Sequence, residues 1–556
     1  MKEILEVLWN YFQRHPLEVL FNIVVSAVVI PMQDVLLPHL YGKVISALED
    51  RKDIIRPFVI VIITIVIVQL GFAVSDWDDT RLIPDMQAFL RVDFLQKIFD
   101  NFQTNFQDLN IGDILSSLLK LPNSLSICFE RVKNYIIPYT ISFIVTIIYF
   151  AYHDIYMGVS LGVVIAIYLL VVVGSPLACR GKSVERDIAH NALYEEIDDM
   201  LRNLISVFTS DEQDNELKRL QVYEEDYKKT WTYTMYCALK ARMYVLPVLV
   251  IFLVVFMWRC YHKINVEKMP ASKFVPLSMI LLYVLGSMMM LTDQIKEMIF
   301  EIGILSNVGL IHPTKDNNTA TCEPNKPLDV TGQRGIYFDH VTFTYPDAPK
   351  PILSDVTFSI KPGEKVGIVG DIGSGKSTLL KLLLKLKKPT CGEIYVNGFP
   401  FSKMRVKDIR RMIGYVPQQP ILFNRSVLDN IKYGNPHVTD KQVEQIITNL
   451  GLEKEFVHLE KGLHTKVGKN GTKISGGQRQ LVWCIRVLLS NPEILILDEP
   501  TASLDDKTKK LMISLLNRLM QNRTVIMVTH DQALVQYAER LIVIQKGSLI
   551  SHVQRQ

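Results

Sequence analysis

Apolar residues are unevenly spread along this chain, and their pattern divides it in two. Up to about residue 310 they form long unbroken runs, such as Phe58 to Ala73 and Val159 to Val173. Beyond about residue 335 they come in short blocks separated by charged residues. Coiled as a helix, roughly 20 apolar residues match the ~30 Å of hydrocarbon in a bilayer. Six stretches approach that length, centred on Leu20–Leu37, Pro57–Val74, Tyr135–Ala151, Met157–Ala178, Tyr244–Arg259 and Phe274–Leu291. The links after the first, third and fifth are short, whereas those after the second and fourth run from Ser75 to Lys133 and from Cys179 to Arg242. These long links are poor in Gly and Pro and keep a helical period, as in Met86, Phe89, Leu90, Phe94, Leu95 and Ile98. The spans are therefore predicted to continue as helices and to turn around outside the membrane.

The opening segment, Met1 to Pro16, is amphipathic and of mixed charge, without the basic tip and short apolar core of a cleavable signal. It is predicted to form an elbow helix on the cytoplasmic surface. Pro313 to Gln333 is polar and holds Pro313, Asn317, Asn318, Pro324 and Pro327, the composition of a linker. From Gly335 on, β-rich runs (Ile336–Phe338, Val341–Tyr345, Lys365–Val369) alternate with helical patterns, which predicts a mainly parallel sheet wrapped by helices. The expected division is an all-α six-span membrane domain at 1–312, a linker at 313–334 and an α/β domain at 335–556.

Composition sharpens this division. The chain has 556 residues, 49% of them hydrophobic, and a net charge of +4; its mean hydropathy is +0.18. So small a charge argues against nucleic acid as the main partner, which needs a basic face. Lys and Arg crowd the second long link, from Arg180 to Arg242, so that side and both termini are expected in the cytoplasm. The seven cysteines are far apart, odd in number and without a C-x-x-C pair. Reduced thiols are expected, with neither a disulfide framework nor a zinc site.

The chemistry lies in the second half. Gly370-Asp371-Ile372-Gly373-Ser374-Gly375-Lys376-Ser377-Thr378 follows a strand and precedes a helix, the setting of a phosphate-binding loop. Glycines let backbone N–H groups turn inward at a helix N-terminus, where anions are favoured. Gly370, Gly373, Ser374, Gly375, Lys376, Ser377 and Thr378 are the candidate ATP contacts, with Lys376 on the β- and γ-phosphates and Ser377 on Mg²⁺. Further on, the apolar run Ile494–Leu497 ends in Asp498 and Glu499. After a phosphate loop, such a pair reads as Asp498 organising Mg²⁺ and Glu499 polarising the attacking water. His530 follows a further apolar strand and points to the same sheet edge.

Ile474-Ser475-Gly476-Gly477-Gln478, about 20 residues before the acidic strand, resembles the signature sequence of the ATP-binding cassette family. With the phosphate loop, the acidic strand and His530 in order, the chain is identified as a member of that family. Its six spans followed by one cassette resemble a half-transporter of the exporter class. The resemblance implies a P-loop NTPase cassette with a helical subdomain. It also implies that Tyr345 stacks on adenine, that Gln418 contacts Mg²⁺ and takes part in catalysis, and that Ser503-Leu504-Asp505 crosses a dimer interface. In this family each ATP lies between one chain's phosphate loop and the other's signature. Ser475, Gly476, Gly477, Gln478 and Asp505 would thus contact a partner's nucleotide, and the partner is a second copy or a related half-transporter. Short coupling helices are expected near Asn110–Pro122 and Thr209–Asn215. This chain departs from the family pattern at Ile474, at Leu481 and at Lys469, which replaces an acidic residue in the loop Thr465–Gly471.

The function so implied is ATP-driven outward movement of a hydrophobic or amphipathic solute; an ATP-gated channel or a regulatory member is the alternative. Asp34, inside the first span, is the candidate intramembrane charge. Asp76, Asp78 and Asp79, and Asp293, Lys296, Glu297 and Glu301, are expected in the helical extensions. Met288-Met289-Met290 reads as packing, because consecutive residues point in different directions around a helix.

Overall fold

The structure is a computed structural model that describes residues 2–51, 53–104, 111–265, 270–307, 335–346, 348–502 and 504–554. The predicted linker and Ser503 lie outside these residues. The chain divides into a helical unit, within Met1–Asn101 and Leu109–His312, and a second unit that includes Pro313–Gln556.

The helical unit contains α1 (Lys2–Arg14), α2 (Pro16–Pro31), α3 (Leu37–Glu49), α4 (Ile55–Asn101), α5 (Ile111–Arg131), α6 (Ile137–His153), α7 (Ile155–Arg202), α8 (Leu204–Ser210), α9 (Gln213–Asn265) and α10 (Ala271–Asn307). The predicted elbow is α1, whose Val7 and Tyr11 share a buried cluster with Leu82, Met86 and Leu90 of α4. Among the described residues, six helical segments are long and apolar enough to cross a membrane: Pro16–Glu49, Ile55–Asn101, Leu118–His153, Ile155–Arg202, Gln213–Ile264 and Ser272–Ser306. The 47 residues of α4 reach roughly 70 Å at 1.5 Å each, over twice the ~30 Å of hydrocarbon, as the helical period of the long links predicts. Phe58, Ile60, Ile62, Ile63 and Ile67 of α4 are each about half exposed, an apolar surface that calls for lipid around it. Met288 is buried while Met289 and Met290 face outward, as consecutive helical positions must.

Two of the spans are broken by a π-helical turn, Met32–Leu36 between α2 and α3 and Val132–Ile136 between α5 and α6. Each is closed by a bond spanning five residues, from Leu37 N–H to the Met32 carbonyl and from Ile137 N–H to the Val132 carbonyl. A proline follows each turn, Pro38 and Pro138. Proline has no N–H for the carbonyl four residues back, so the ladder widens just before it. The widened turns carry Asp34, 2% exposed, and Lys133, 1% exposed, into the bundle. Lys133 pairs with Asp79 of α4, whose other oxygen accepts from Asn134 at 3.0 Å.

Several expectations need correction. Residues 111–122 begin the 21-residue helix α5 and form no separate short helix. The short helix of the second long link is α8, Leu204–Ser210, upstream of most of the expected Thr209–Asn215, because Asp211 takes a left-handed conformation that ends it (φ 56°). Cys179 of α7 and Cys237 of α9 are joined in a disulfide, contrary to the expectation of reduced thiols; their long sequence separation conceals that α7 and α9 pack side by side. Cys128, Cys260 and Cys484 are free thiols.

Asp154 shows how the turn between α6 and α7 is held. It caps α7, accepting from the N–H groups of Tyr156 (2.9 Å) and Met157 (3.1 Å), and it binds Arg259 and Lys263 of α9, each at 2.8 Å. Burial pushes its carboxyl up, but the bonds from Lys263 and Arg259 outweigh this and hold it down at about 2. A depressed carboxyl adds stability above the unfolded value of about 4 and loses it as pH falls toward 2. Asp154→Ala should therefore cost about 3 kcal/mol through the lost cap and the lost ion pairs. Asp154→Asn, which keeps the cap, should cost less. Thermal unfolding of the full chain checks both; an Asp154→Asn variant as stable as the wild type would refute the ion-pair contribution, and equal losses in the two variants would refute the cap contribution.

The second unit holds two sheets. Strands β1 (Ile336–Phe343), β2 (Leu353–Ile360), β4 (Cys391–Val396) and β5 (Phe399–Pro400) form an antiparallel sheet in the order β2-β1-β4-β5. Strands β3 (Lys365–Val369), β6 (Ile413–Val416), β7 (Ile494–Asp498), β8 (Thr524–Val528), β9 (Arg540–Gln545) and β10 (Ser548–Gln554) form the other, in the order β10-β9-β3-β8-β7-β6. This second sheet is parallel except for the β9–β10 hairpin. The antiparallel sheet was not foreseen. Its first strand reads in sequence as two runs because a register shift falls between Phe338 and Val341, where His340 has φ 48°.

Helices α11 (Lys376–Leu383), α12 (Val406–Met412), α13 (Val427–Lys432), α14 (Asp440–Leu450), α15 (Glu453–Val457), α16 (Gly476–Ser490), α17 (Asp506–Met520) and α18 (Gln532–Val535) complete the unit. They divide between two apolar cores. One joins the antiparallel sheet to α11 and one face of the parallel sheet; the other joins α13–α17 to the opposite face.

Candidate functional site

Strands β3, β8 and β7 are parallel neighbours, so the chain leaves all three at one edge of the sheet. The phosphate loop, Glu499 and His530 follow those three ends. In the loop, Gly373 (φ 81°) and Gly375 (φ 101°) adopt backbone conformations that side chains disfavour, and Gly375 opens helix α11. Lys376 lies over the loop, donating to the carbonyls of Gly370 (2.7 Å) and Asp371 (2.8 Å). Ser374 is buried, and its Oγ has no hydrogen-bond partner among the described residues. An orphaned hydroxyl, inward-turned glycines and a lysine at a helix N-terminus fit a bound phosphate chain. Thr378 is buried and its Oγ1 lies 3.4 Å from the hydroxyl of Tyr345; Ser377 is exposed. The Tyr345 ring also lies within reach of the ammonium groups of Lys387 (5.6 Å) and Lys381 (5.9 Å).

The two carboxylates differ in setting. Asp498 ends β7 and accepts from the Tyr415 hydroxyl at 3.0 Å. Burial raises its carboxyl above the usual range and adjacent Glu499 adds to this, while the Tyr415 bond and Lys376 oppose it. The oxygen donors of Ser377, Gln418 and Asp498 are of the hard type that Mg²⁺ takes. Glu499 has φ 43°, a strained position for a side chain, held by its N–H bond to the Val528 carbonyl at 2.8 Å. Its Oε2 accepts from Gln418 Nε2 at 3.0 Å, and its Oε1 lies 3.9 Å from His530 Nε2. The structure thus brings Gln418, Glu499 and His530 together, three residues spread over more than a hundred positions.

Several supporting residues were not anticipated. Tyr415 is one; its position on the strand paired with the acidic strand, three residues before Gln418, was the available signal. Gln480 donates to the Pro417 carbonyl (3.0 Å) and Trp483 to the Tyr415 carbonyl (2.8 Å), so α16 grips the segment that carries Gln418. Asp531, beside His530, is fixed by Thr501 (2.8 Å) and Lys509 (2.9 Å). Tyr415→Phe should lower ATP turnover by about tenfold, on the order of 1–3 kcal/mol for an acceptor left short of its donor. Because the Tyr415 bond opposes the upward shift of Asp498, its loss lets the carboxyl protonate at higher pH. The acid limb of the pH–rate profile should move up, and an unmoved limb would contradict this assignment.

The signature segment sits elsewhere. Ser475 caps α16 in a reciprocal arrangement, accepting from Gln478 N–H at 3.1 Å while Gln478 Oε1 accepts from Ser475 N–H at 2.9 Å. Ser475 and Gly476 are exposed, as is Asp505 at the start of α17. Among the described residues no hydrogen bond joins Ser475, Gly476, Gly477, Gln478 or Asp505 to this chain's own phosphate loop. Ile474 and α11 even belong to different cores. The departures are accommodated: Ile474 and Leu481 are buried in the helical core, and Lys469 is exposed.

A family model for the ABC transporter matches residues 353–502, and one for the ABC transporter transmembrane region matches residues 17–288. The chain belongs to the ABC transporter family. It is a multi-pass membrane protein by its six apolar segments and by this membership. Among ABC transporters, it is 38% identical over 256 residues to "Probable multidrug resistance ABC transporter ATP-binding/permease protein YheI" of Bacillus subtilis, covering 45% of this chain and 44% of that one. It is 37% identical over 232 residues to the ATP-dependent lipid A-core flippase of Chromobacterium violaceum, covering 41% and 40%. The match thus spans less than half the length of these curated relatives. A Rickettsia typhi protein whose name includes "export ATP-binding/permease protein" aligns over 466 residues at 26% identity, covering 80% of this chain and 77% of that one. A solved bacterial Atm1-family ABC exporter with ATP bound superposes with a TM-score of 0.84 over 98% of this chain and 95% of that one, at 20% identity. The fold is that of an ABC exporter.

Proposed function

We propose that this chain is one half of a dimeric exporter that hydrolyses ATP to move a hydrophobic or amphipathic solute out of the cytoplasm, with its cassette and both termini on the cytoplasmic side. The observation that carries this reading is the cluster of Gln418, Glu499 and His530 at the sheet edge that also bears the phosphate loop. Gly370, Gly373, Ser374, Gly375, Lys376, Ser377 and Thr378 hold the ATP phosphates, and Tyr345 meets the adenine. Ser377, Gln418 and Asp498 hold Mg²⁺, which when bound neutralises charge on the phosphate oxygens. Glu499 takes the proton of the attacking water, Gln418 orients Glu499, and His530 supports the departing phosphate from the neighbouring strand end.

Exposure of Ser475, Gly476 and Asp505, away from this chain's own loop, supports a site completed by a partner: a second copy or a related half-transporter. The domain division proposed is 1–312, 313–334 and 335–556. The flippase name among the relatives, together with the lipid-facing surface of the helical unit, favours an amphipathic cargo. A panel of amphipathic solutes added to the purified protein in lipid tests this reading. At least one should stimulate ATP turnover, and the stimulation should vanish in Glu499→Gln. Turnover indifferent to every solute while ATP opens an ion current would favour the channel alternative.

A further inference from the structure

Of the Asp, Glu, Lys and Arg residues described in the helical unit, the two least exposed are Lys133 and Asp34, and both sit on the π-helical turns. Lys133 has its counter-charge in Asp79. Asp34 has none. Its Oδ2 accepts from two hydroxyls, Ser142 of α6 at 2.9 Å and Ser287 of α10 at 3.1 Å, and no lysine, arginine or histidine reaches it among the described residues. At 1.5 Å per residue, Asp34 lies about 27 Å from the start of the first span and about 22 Å from its end, so it sits near the middle of the segment. Three separate spans therefore converge on one carboxyl oxygen deep in the bundle.

The surroundings of this carboxyl are neutral. On α6 the ionisable neighbour is Tyr139, one turn before Ser142, and on α10 it is Tyr283, one turn before Ser287. The next charged residue along α10 is Asp293, of the same sign as an ionised Asp34. His39 of α3 is engaged with Tyr149, its Nδ1 lying 3.0 Å from that hydroxyl. Across Phe58–Val74, α4 carries no charged residue. Two neutral donors do not replace the hydration of an ionised carboxylate in an apolar interior, which otherwise needs a cation beside it. Resting on the reading of the chain as an exporter whose spans move against each other, we propose that Asp34 is a proton-binding site in the middle of the bundle.

In the packed arrangement the carboxyl is neutral and is held by Ser142 and Ser287. When α10 parts from the first and third spans, the Ser287 bond is lost, water reaches the carboxyl, and the proton leaves to water. The step moves one proton between a carboxylate and water, with no electron transfer and no further reactant. Because the packing of α10 against the first and third spans is what keeps water from Asp34, the proton and that packing are linked: each stabilises the other. The wide turn created by Pro38 is what directs a polar side chain of the first span inward at this depth.

Infrared spectroscopy of the full chain in lipid nanodiscs tests this. Subtracting the spectrum of Asp34→Asn from that of the wild type at neutral pH should leave the carbonyl stretch of a protonated carboxyl. Ser142→Ala and Ser287→Ala, each removing one donor, should shift the same stretch in frequency, a readout that serves if Asp34→Asn does not fold. A wild-type difference spectrum with only carboxylate stretches, or a protonated stretch unmoved in both serine variants, overturns the proposal. The spectrum does not depend on transport. If the exporter reading fails, solute movement is absent while the band remains; if only this proposal fails, the band is absent while ATP turnover stays sensitive to Glu499→Gln.

Discussion

Replacing Glu499 by Gln should lower ATP turnover by at least ~100-fold, the lower end of what a positioned general base contributes, while ATP binding stays intact. The amide has nearly the same shape, so the strained backbone at φ 43° and the packing around it are retained. What is lost is the ability to accept a proton from water. Gln418, donating at 3.0 Å, and His530, at 3.9 Å, both lie at the carboxylate and neither offers a comparable base at that position. Single-turnover phosphate release, set beside equilibrium nucleotide binding, separates the two effects. Turnover within tenfold of the wild type would move the role of base to another group.

The second large effect is expected at Gly370. A Cβ placed there would lie 2.1 Å from the carbonyl oxygen of Ile544 and 2.8 Å from Ser374 Oγ. Ile544 belongs to β9, held between β3 and β10, so its backbone cannot yield without disturbing both pairings. Overpacking of this kind costs ~1–3 kcal/mol, and the loop itself is what gives way. Gly370→Ala should therefore weaken ATP binding by at least ~10-fold. Gly373→Ala is the informative comparison. A Cβ there meets nothing within 4 Å, but φ 81° penalises any side chain. Its cost, about 1 kcal/mol, should be smaller and purely conformational. Nucleotide titration and thermal unfolding of both variants check this order, and equal affinity in Gly370→Ala and wild type would show that β9 does not constrain the loop.

What the sequence reveals about this protein depends on how local each feature is. The six spans, the helical continuation through Met86, Leu90 and Phe94, and the strand–loop–helix around Lys376 are all written in contiguous residues, and the structure has them. Features that need distant pairing were hidden. The antiparallel sheet was obscured by the irregularity at His340, and the Cys179–Cys237 link by a separation that only the packing of α7 on α9 closes. The site was legible in outline because Asp498, Glu499 and His530 each end an apolar strand, and a parallel sheet gathers such ends. Tyr415, Gln480 and Asp531 were not legible, because nothing local separates a residue that orients another from one that merely packs. In the helical unit the carboxyl of Asp34 was visible, but its binding partners on α6 and α10 were not. Pro38 and Pro138, plain in the sequence, became meaningful only once the π-helical turns before them were seen.

The coupling proposed is that ATP binding and hydrolysis in this cassette drive a solute across the membrane through this chain's spans. The direct measurement is uptake of a fluorescent amphipathic dye into sealed inverted vesicles containing the wild type or Glu499→Gln. The wild type should accumulate dye against its gradient when ATP is added outside, and Glu499→Gln should not. Equal accumulation in both, or ATP hydrolysis by the wild type with no vectorial movement of any stimulating solute, would contradict this coupling.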